Sequence, residues 1–251
     1  MSTPLTRPER PQRPQLTQTG APCSGRNAAA QPAAVDQGID LYWLPLGAGG
    51  HSVRVNGRVF EAIQAARERR PRRALYHAAL EVRSSGGRFV IETAPVTRPA
   101  GTDRGVVSEG PVGSRLLGRF RLFRYELRRW QDGVIPDVAE AVSSPARLSD
   151  DPSAVRRLLE LVAAVPPCVW GRDELDVGEM WTSNSVVSWL ITRSGLSVES
   201  VAPPADGRAP GWRAGVVAAR RAQRQAQLGF ARASIHACSS RTKAGATVSE
   251  I

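Results

Sequence analysis

The sequence is poor in the residues that build metal sites and disulfide frameworks, and it has no long hydrophobic run. Only three cysteines are present, with no CxxC pair and no Cys/His cluster, which argues against a structural zinc site or a disulfide scaffold. No run of about 18 apolar residues occurs, and the amino-terminal segment has no apolar core of the signal-peptide type. We therefore expect a cytoplasmic protein without a bound metal.

A nucleotide cofactor is also not indicated. The glycine-rich run Gly47-Ala48-Gly49-Gly50 invites a phosphate-loop interpretation. It lacks the lysine and the spacing of a Walker motif, and the strand-like segment 52–55 follows it where a phosphate-binding loop would need a helix. We expect no cofactor of either kind.

Positive charge is concentrated at the two ends of the chain. The formal net charge is +11, of which +3 falls in residues 1–35, +6 in 212–251 and only +2 in 36–211. Lys243 is the only lysine, so nearly all of this charge is arginine. A nearly neutral centre argues against a basic groove in the fold and favours basic tails that contact an acidic partner weakly.

Composition divides the chain into three parts. Residues 1–35 are rich in Pro, Gln and Thr and predict a disordered tail. Residues 36–211 are expected to form an α+β domain, with an antiparallel sheet packed against a few helices. The segment 212–251 is a basic tail, predicted to be helical over 212–233 and tail-like from Ser234 onward.

The clearest local signal is a hairpin. The apolar runs 74–82 and 88–93 flank the polar turn Ser84-Ser85-Gly86-Gly87, which predicts two adjacent antiparallel strands. His77 lies near the start of the first strand and Glu92 near the end of the second. Pairing across the turn brings these two residues toward the same end of the hairpin.

Other segments predict the remaining elements. A strand is expected at 39–46, a second at 119–130 and a short edge strand at 198–201. An amphipathic helix is expected to begin after Asp151, with proline in its first turn.

The segment 180–195 predicts a buried helix with a row of polar residues at its start. Thr182, Ser183 and Asn184 are all competent N-caps, and Gly195 is placed to end the helix. A helix N-terminus stabilises an ionised nucleophile or a developing oxyanion. Two interpretations stay open here: a nucleophile at the helix start, or hydroxyls that only cap the helix.

The order of these segments resembles the circularly permuted papain-like superfamily, which includes the permuted NlpC-type, PPPDE-like and lecithin retinol acyltransferase-like groups. In that family a Tyr-His strand carries the catalytic histidine, and a later Cys-Asn helix start carries the nucleophile. Here Tyr76-His77-Ala78-Ala79-Leu80-Glu81-Val82 matches the strand, and Ser183-Asn184-Ser185 stands at the helix start. The nucleophilic cysteine is replaced by serine.

The resemblance implies a set of site residues. Ser183 would be the nucleophile, His77 the general base, and Glu92 the group that fixes the tautomer of the imidazole. His51 is a further candidate partner. The remaining residues expected around a cleft are Tyr76, Trp181, Asn184 and Ser185.

Two functions follow from this set. The first is a hydrolase or acyltransferase that acts on an amide or ester bond of a small-molecule or peptide substrate through Ser183 and His77. The alternative is a catalytically inactive member of the fold that binds a partner, with basic tails that contact nucleic acid or another acidic molecule. The inactive, partner-binding function is considered because serine replaces the cysteine of the family, and a serine hydroxyl is much harder to ionise than a thiol.

Overall fold

Alternating apolar residues build an antiparallel sheet around which the helices pack. The computed structural model describes residues 36–46, 61–96 and 105–244, with side chains up to residue 229. The predicted tail over 1–35, the glycine-rich run at 47–50 and His51 lie outside the described residues.

Within the described ranges, seven strands form the sheet. They are β1 (Gly38–Pro45), β2 (Ala74–Ser84), β3 (Gly87–Pro95), β4 (Val106–Pro111), β5 (Arg124–Gln131), β6 (Val142–Ser149) and β7 (Gly207–Arg208). Their order is β4-β5-β3-β2-β1-β6, with every pair antiparallel, and the short β7 runs parallel to the start of β2. The predicted hairpin is confirmed as β2 and β3, and the predicted strand at 39–46 is confirmed as β1.

The described residues contain four helices. They are α1 (61–67), α2 (Pro152–Leu161), α3 (Ser183–Arg193) and α4 (Trp212–Ala244). Helix α2 starts as predicted, because the Asp151 carboxylate accepts hydrogen bonds from the backbone N–H groups of Ser153 and Ala154 at 2.9 and 3.3 Å. The mixed content and the antiparallel sheet confirm the α+β class.

The two faces of the sheet have different surroundings. Side chains of one face pack with α2, α3 and α4 in the main core, and we call it the helix face; its members on β1 and β2 are Ile39, Leu41, Trp43, Tyr76, Ala78, Leu80 and Val82. Side chains of the opposite face, which we call the loop face, join a smaller cluster made by Leu44, Ala79, Val90 and Ile135. Alternation along each strand therefore assigns every residue to one face.

Two predicted strands differ from the structure. The strand expected at 119–130 begins only at Arg124, because residues 117–119 and 121–123 form two short 3₁₀ turns. The edge strand expected at 198–201 is a 3₁₀ turn, Val198–Ser200, closed by the Ser200 hydroxyl, which donates to the Ser197 carbonyl at 2.8 Å.

Residues 212–244 of the predicted C-terminal tail form a single long helix that starts inside the core. Ala214 and Ala219 are buried against α3 and the sheet, so the first two turns of α4 belong to the folded domain. The helix continues to Ala244, past the end expected at 233. Alanine, arginine and glutamine dominate this segment and are strong helix formers, which explains its length.

Candidate functional site

The hydroxyl side chains at the start of α3 form hydrogen bonds with the segment that leads into α4. The hydroxyls of Thr182, Ser185 and Ser188 donate hydrogen bonds to three consecutive backbone carbonyls, those of Pro210, Gly211 and Trp212, at 2.7, 2.7 and 2.8 Å. Ser185 also accepts a bond from the Thr182 backbone N–H at 2.9 Å and so caps the helix. These hydroxyls therefore satisfy buried backbone groups and hold two elements together.

Asn184 ties the same helix start to the sheet. Its side-chain amide donates to the backbone carbonyls of Tyr76 and Pro210 at 3.0 and 2.9 Å. The side chain is 2% exposed, and its carbonyl oxygen is buried with no hydrogen-bond partner among the described residues. Asn184 thus links β2, α3 and the segment before α4 at one buried point.

Ser183 lies within this junction without taking part in its hydrogen bonds. It is the first residue of α3 and is 6% exposed. Within the described part of the chain its hydroxyl has no hydrogen-bond partner, whereas the hydroxyls on either side of it are engaged. The positive end of the helix lies beside this hydroxyl.

His77 lies on the other side of the sheet from Ser183. It pairs with Leu44 of β1 and alternates with Ala79, and both of these residues belong to the loop face. Burial lowers the pKa of His77 to about 4, while the nearby Asp137 carboxylate opposes this shift. The predicted pairing is therefore corrected: the structure does not bring His77 to Ser183, because the strand directs the imidazole away from α3.

Glu92 also lies on the loop face, where an arginine holds it. Its carboxylate accepts from the Arg128 guanidinium at 2.9 Å, directly across the β3–β5 pairing. Arg128 also forms an ion pair with Glu126, and all three side chains are largely buried. Glu92 is thus part of an ion-pair cluster on β3 and β5, which is a different role from the predicted orientation of a catalytic imidazole.

The residues expected around a cleft form a packed junction instead. Tyr76 and Trp181 are core residues, 9% and 1% exposed, and Asn184 and Ser185 are buried beside them. Trp181 pairs with Trp170 through a parallel β-bridge. The described residues therefore place these four side chains in the interior, and His51 lies outside the described range.

A pocket lies at the far end of α3 from Ser183. It has a volume of about 210 Å³ and is lined mainly by apolar side chains of β1, β6 and the segment that follows α3, among them Leu41, Trp43, Leu148, Ile191 and Val201. Its only charged lining residue is Arg147, whose guanidinium is engaged by Asp40 and Asp150.

Two features of the structure were missed in the sequence. Gly211 and Gly215 are spaced by four residues, and a Cβ atom at either would lie within 3 Å of α3 or its cap. Glycines at this spacing are typical of helices that pack closely, because they leave room for a neighbouring backbone. In the structure that neighbour is α3. The Arg128 cluster was also missed, although an arginine-bearing face was visible in the 119–130 segment.

The described residues contain no group of three or more His, Cys, Asp or Glu side chains placed to hold a metal ion. None of the described helices combines the length and the hydrophobicity that a membrane span requires. No family model, curated protein or solved structure matches this chain.

Proposed function

We propose that the protein is a non-catalytic binding module on a permuted papain-like α+β fold, and that helix α4 contacts an acidic partner. The separation of His77 from Ser183 by the sheet carries this proposal. A serine nucleophile needs a base within hydrogen-bond reach. A buried imidazole with a lowered pKa on the opposite face of the sheet does not supply one.

The junction supports the papain-like part of the proposal. The two segments that carry the resemblance, the Tyr-His strand and the Ser-Asn helix start, meet through the hydrogen bond from Asn184 to the Tyr76 carbonyl. A helix start docked on the histidine strand is the arrangement that the resemblance implies. The chemistry differs because the hydroxyls around Ser183 are used to hold α4.

The charge of α4 supports the choice of an acidic partner. Residues 212–244 contain six arginines and Lys243, with no Asp or Glu. Arg220 forms an ion pair with Glu199, and the Arg221 guanidinium donates a hydrogen bond to the Leu175 carbonyl. These contacts fix α4 on the domain at the point where its exposed part begins. Residues 224–229 are all exposed, as expected for a helix that leaves the core and presents charge to a partner.

Neutralising the exposed arginines of α4 tests this function. We expect the full chain to bind a short DNA duplex or poly-glutamate, and Arg220→Gln/Arg221→Gln/Arg224→Gln to weaken binding by roughly tenfold or more at low salt. For DNA, the slope of log affinity against log salt should fall by about one to three in the variant, because Arg220 and Arg221 also have partners on the domain. Fluorescence anisotropy over a salt series measures both quantities.

A matched control is Arg67→Gln/Arg72→Gln/Arg156→Gln, which removes the same charge from exposed positions on other elements. This variant should bind nearly as tightly as the original chain. Equal weakening in the two triple variants would show that only net charge matters, and binding that does not respond to salt would exclude an electrostatic contact.

Ser183 favours a second candidate function, a serine hydrolase. Its hydroxyl is the one at the junction that makes no hydrogen bond among the described residues, and it stands at the positive end of α3. This function requires a base other than His77. Covalent labelling of Ser183 by a fluorophosphonate distinguishes it from the binding module.

A further inference from the structure

The connection between β4 and β5 exposes an unusual number of large apolar side chains. We call residues 112–123 the tip loop. Five of its residues are exposed apolar side chains: Leu116 (64%), Leu117 (38%), Phe120 (58%), Leu122 (84%) and Phe123 (37%). Single exposed apolar residues are ordinary, but a cluster of this kind within eight positions marks an interaction surface.

Backbone hydrogen bonds hold the tip loop in this conformation. The Val112 N–H donates to the Phe123 carbonyl at 2.8 Å and closes the loop, and the Gly118 N–H donates to the Ser114 carbonyl at 3.1 Å. The Arg124 side chain donates to the Gly118 carbonyl at 2.7 Å. Gly118 also packs closely on Pro111, where a Cβ atom would lie 2.6 Å from the proline Cβ. The apolar side chains are therefore presented by an ordered turn.

The charge of the tip loop has one sign. It contains Arg115, Arg119 and Arg121 and no acidic residue. The acidic groups that border it are engaged: Glu109 pairs with Arg124 at 3.0 Å, and Glu174 with Arg115 at 2.9 Å. Glu174 compensates Arg115, and the loop keeps a positive formal charge beside its leucines and phenylalanines through Arg119 and Arg121.

We propose that the tip loop docks on an anionic lipid bilayer, with Leu116, Phe120 and Leu122 in the interface and the exposed Arg119 against the lipid headgroups. Side chains as exposed as Leu122 project singly from the surface, and a bilayer interface accepts such projections without a preformed pocket. Arginine can extend its charge toward anionic headgroups while its stem lies along the apolar layer. This surface is separate from α4, so the inference goes beyond the proposed function.

Vesicle sedimentation of the full chain tests the proposal. We expect binding to phosphatidylcholine vesicles that contain phosphatidylserine, and a partition coefficient that falls by roughly tenfold or more in Phe120→Ser/Leu122→Ser. Arg119→Gln should lower binding to the anionic vesicles by about fivefold and change binding to pure phosphatidylcholine little. Circular dichroism establishes that each variant is folded.

The matched control is Val134→Ser/Val138→Ser, which removes exposed apolar side chains elsewhere, 62% and 42% exposed, and should leave vesicle binding unchanged. Each variant is also made in the Arg220→Gln/Arg221→Gln/Arg224→Gln background. Vesicle binding that survives the tip-loop changes but is lost in the α4 background overturns this proposal and leaves the proposed function intact. Absence of vesicle binding also overturns the proposal. If the tip-loop variants instead lose self-association of the chain or binding to poly-glutamate, the loop belongs to a protein interface, and the proposal is overturned as well.

Discussion

Replacing Gly215 with alanine is expected to lower the free energy of unfolding by about 3 kcal/mol, through overpacking where α3 and α4 meet. A Cβ atom at Gly215 would lie 2.0 Å from the Ser185 carbonyl oxygen and 2.2 Å from the Ser188 hydroxyl oxygen. Backbone contact of this kind cannot be relieved by a side-chain rotation, so the helices must separate and the hydrogen bond from Ser188 to the Trp212 carbonyl must lengthen. Urea unfolding measures the change.

Gly229→Ala is the matched control, since this glycine lies on the exposed part of the same helix and a Cβ atom there meets nothing within 4 Å. It should leave the free energy of unfolding unchanged or raise it by less than about 1 kcal/mol through helix propensity. If Gly215→Ala proved as stable as the original chain, the close packing of α3 on α4 would be refuted.

The stability of the protein should fall as the pH is lowered from 7 to 4, in part because of His77. Its pKa is about 4 in the folded state against 6.5 for the free side chain, so the unfolded chain binds more protons between these values. The stabilisation that the neutral His77 side chain contributes is fully present above pH 6.5 and is lost as the pH falls toward 4. Since His77 keeps part of its surface exposed, we expect a loss of roughly 2 kcal/mol, smaller than the full pKa shift would give.

The measurement is urea unfolding at several pH values. His77→Gln should reduce the loss of unfolding free energy between pH 7 and pH 4 by the amount expected for His77. Asp137→Asn should act in the opposite direction, because the Asp137 carboxylate raises the pKa of His77 and its removal lowers that pKa further. Asparagine also tolerates the left-handed backbone at this position, where φ is 58°. A pH dependence identical in His77→Gln and the original chain would show that His77 is not buried as described.

Much of the fold could be predicted because the local signals agree with the tertiary structure. The hairpin of β2 and β3 combines two apolar runs with a Ser/Gly turn, and α2 combines an acidic cap with proline in its first turn. The tip loop shows the limit of such patterns. Alternation of Arg with Leu and Phe predicted a strand at 119–130, but the Arg124 bond to the Gly118 carbonyl stabilises two 3₁₀ turns there.

The position of His77 on the face opposite Ser183 is already indicated by the residue pattern of β2. Tyr76, Ala78 and Leu80 are buried on the helix face, and Ala79 is buried on the loop face. The odd-numbered positions of the strand carry the polar residues His77, Glu81 and Arg83, so the strand alternates and this alternation assigns His77 to the loop face. The predicted pair of His77 and Ser183 followed the resemblance to the papain-like strand, which conflicts with this alternation.

The central claim is that Ser183 belongs to a binding module and lacks an activated hydroxyl. Fluorophosphonate labelling followed by peptide mapping tests it most directly, on the original chain, Ser183→Ala and His77→Ala. We predict no modification of Ser183 in folded protein under conditions that label a reference serine hydrolase completely. Labelling of Ser183 that disappears in Ser183→Ala would contradict the account, and its further loss in His77→Ala would restore the Ser183–His77 pair that the fold separates.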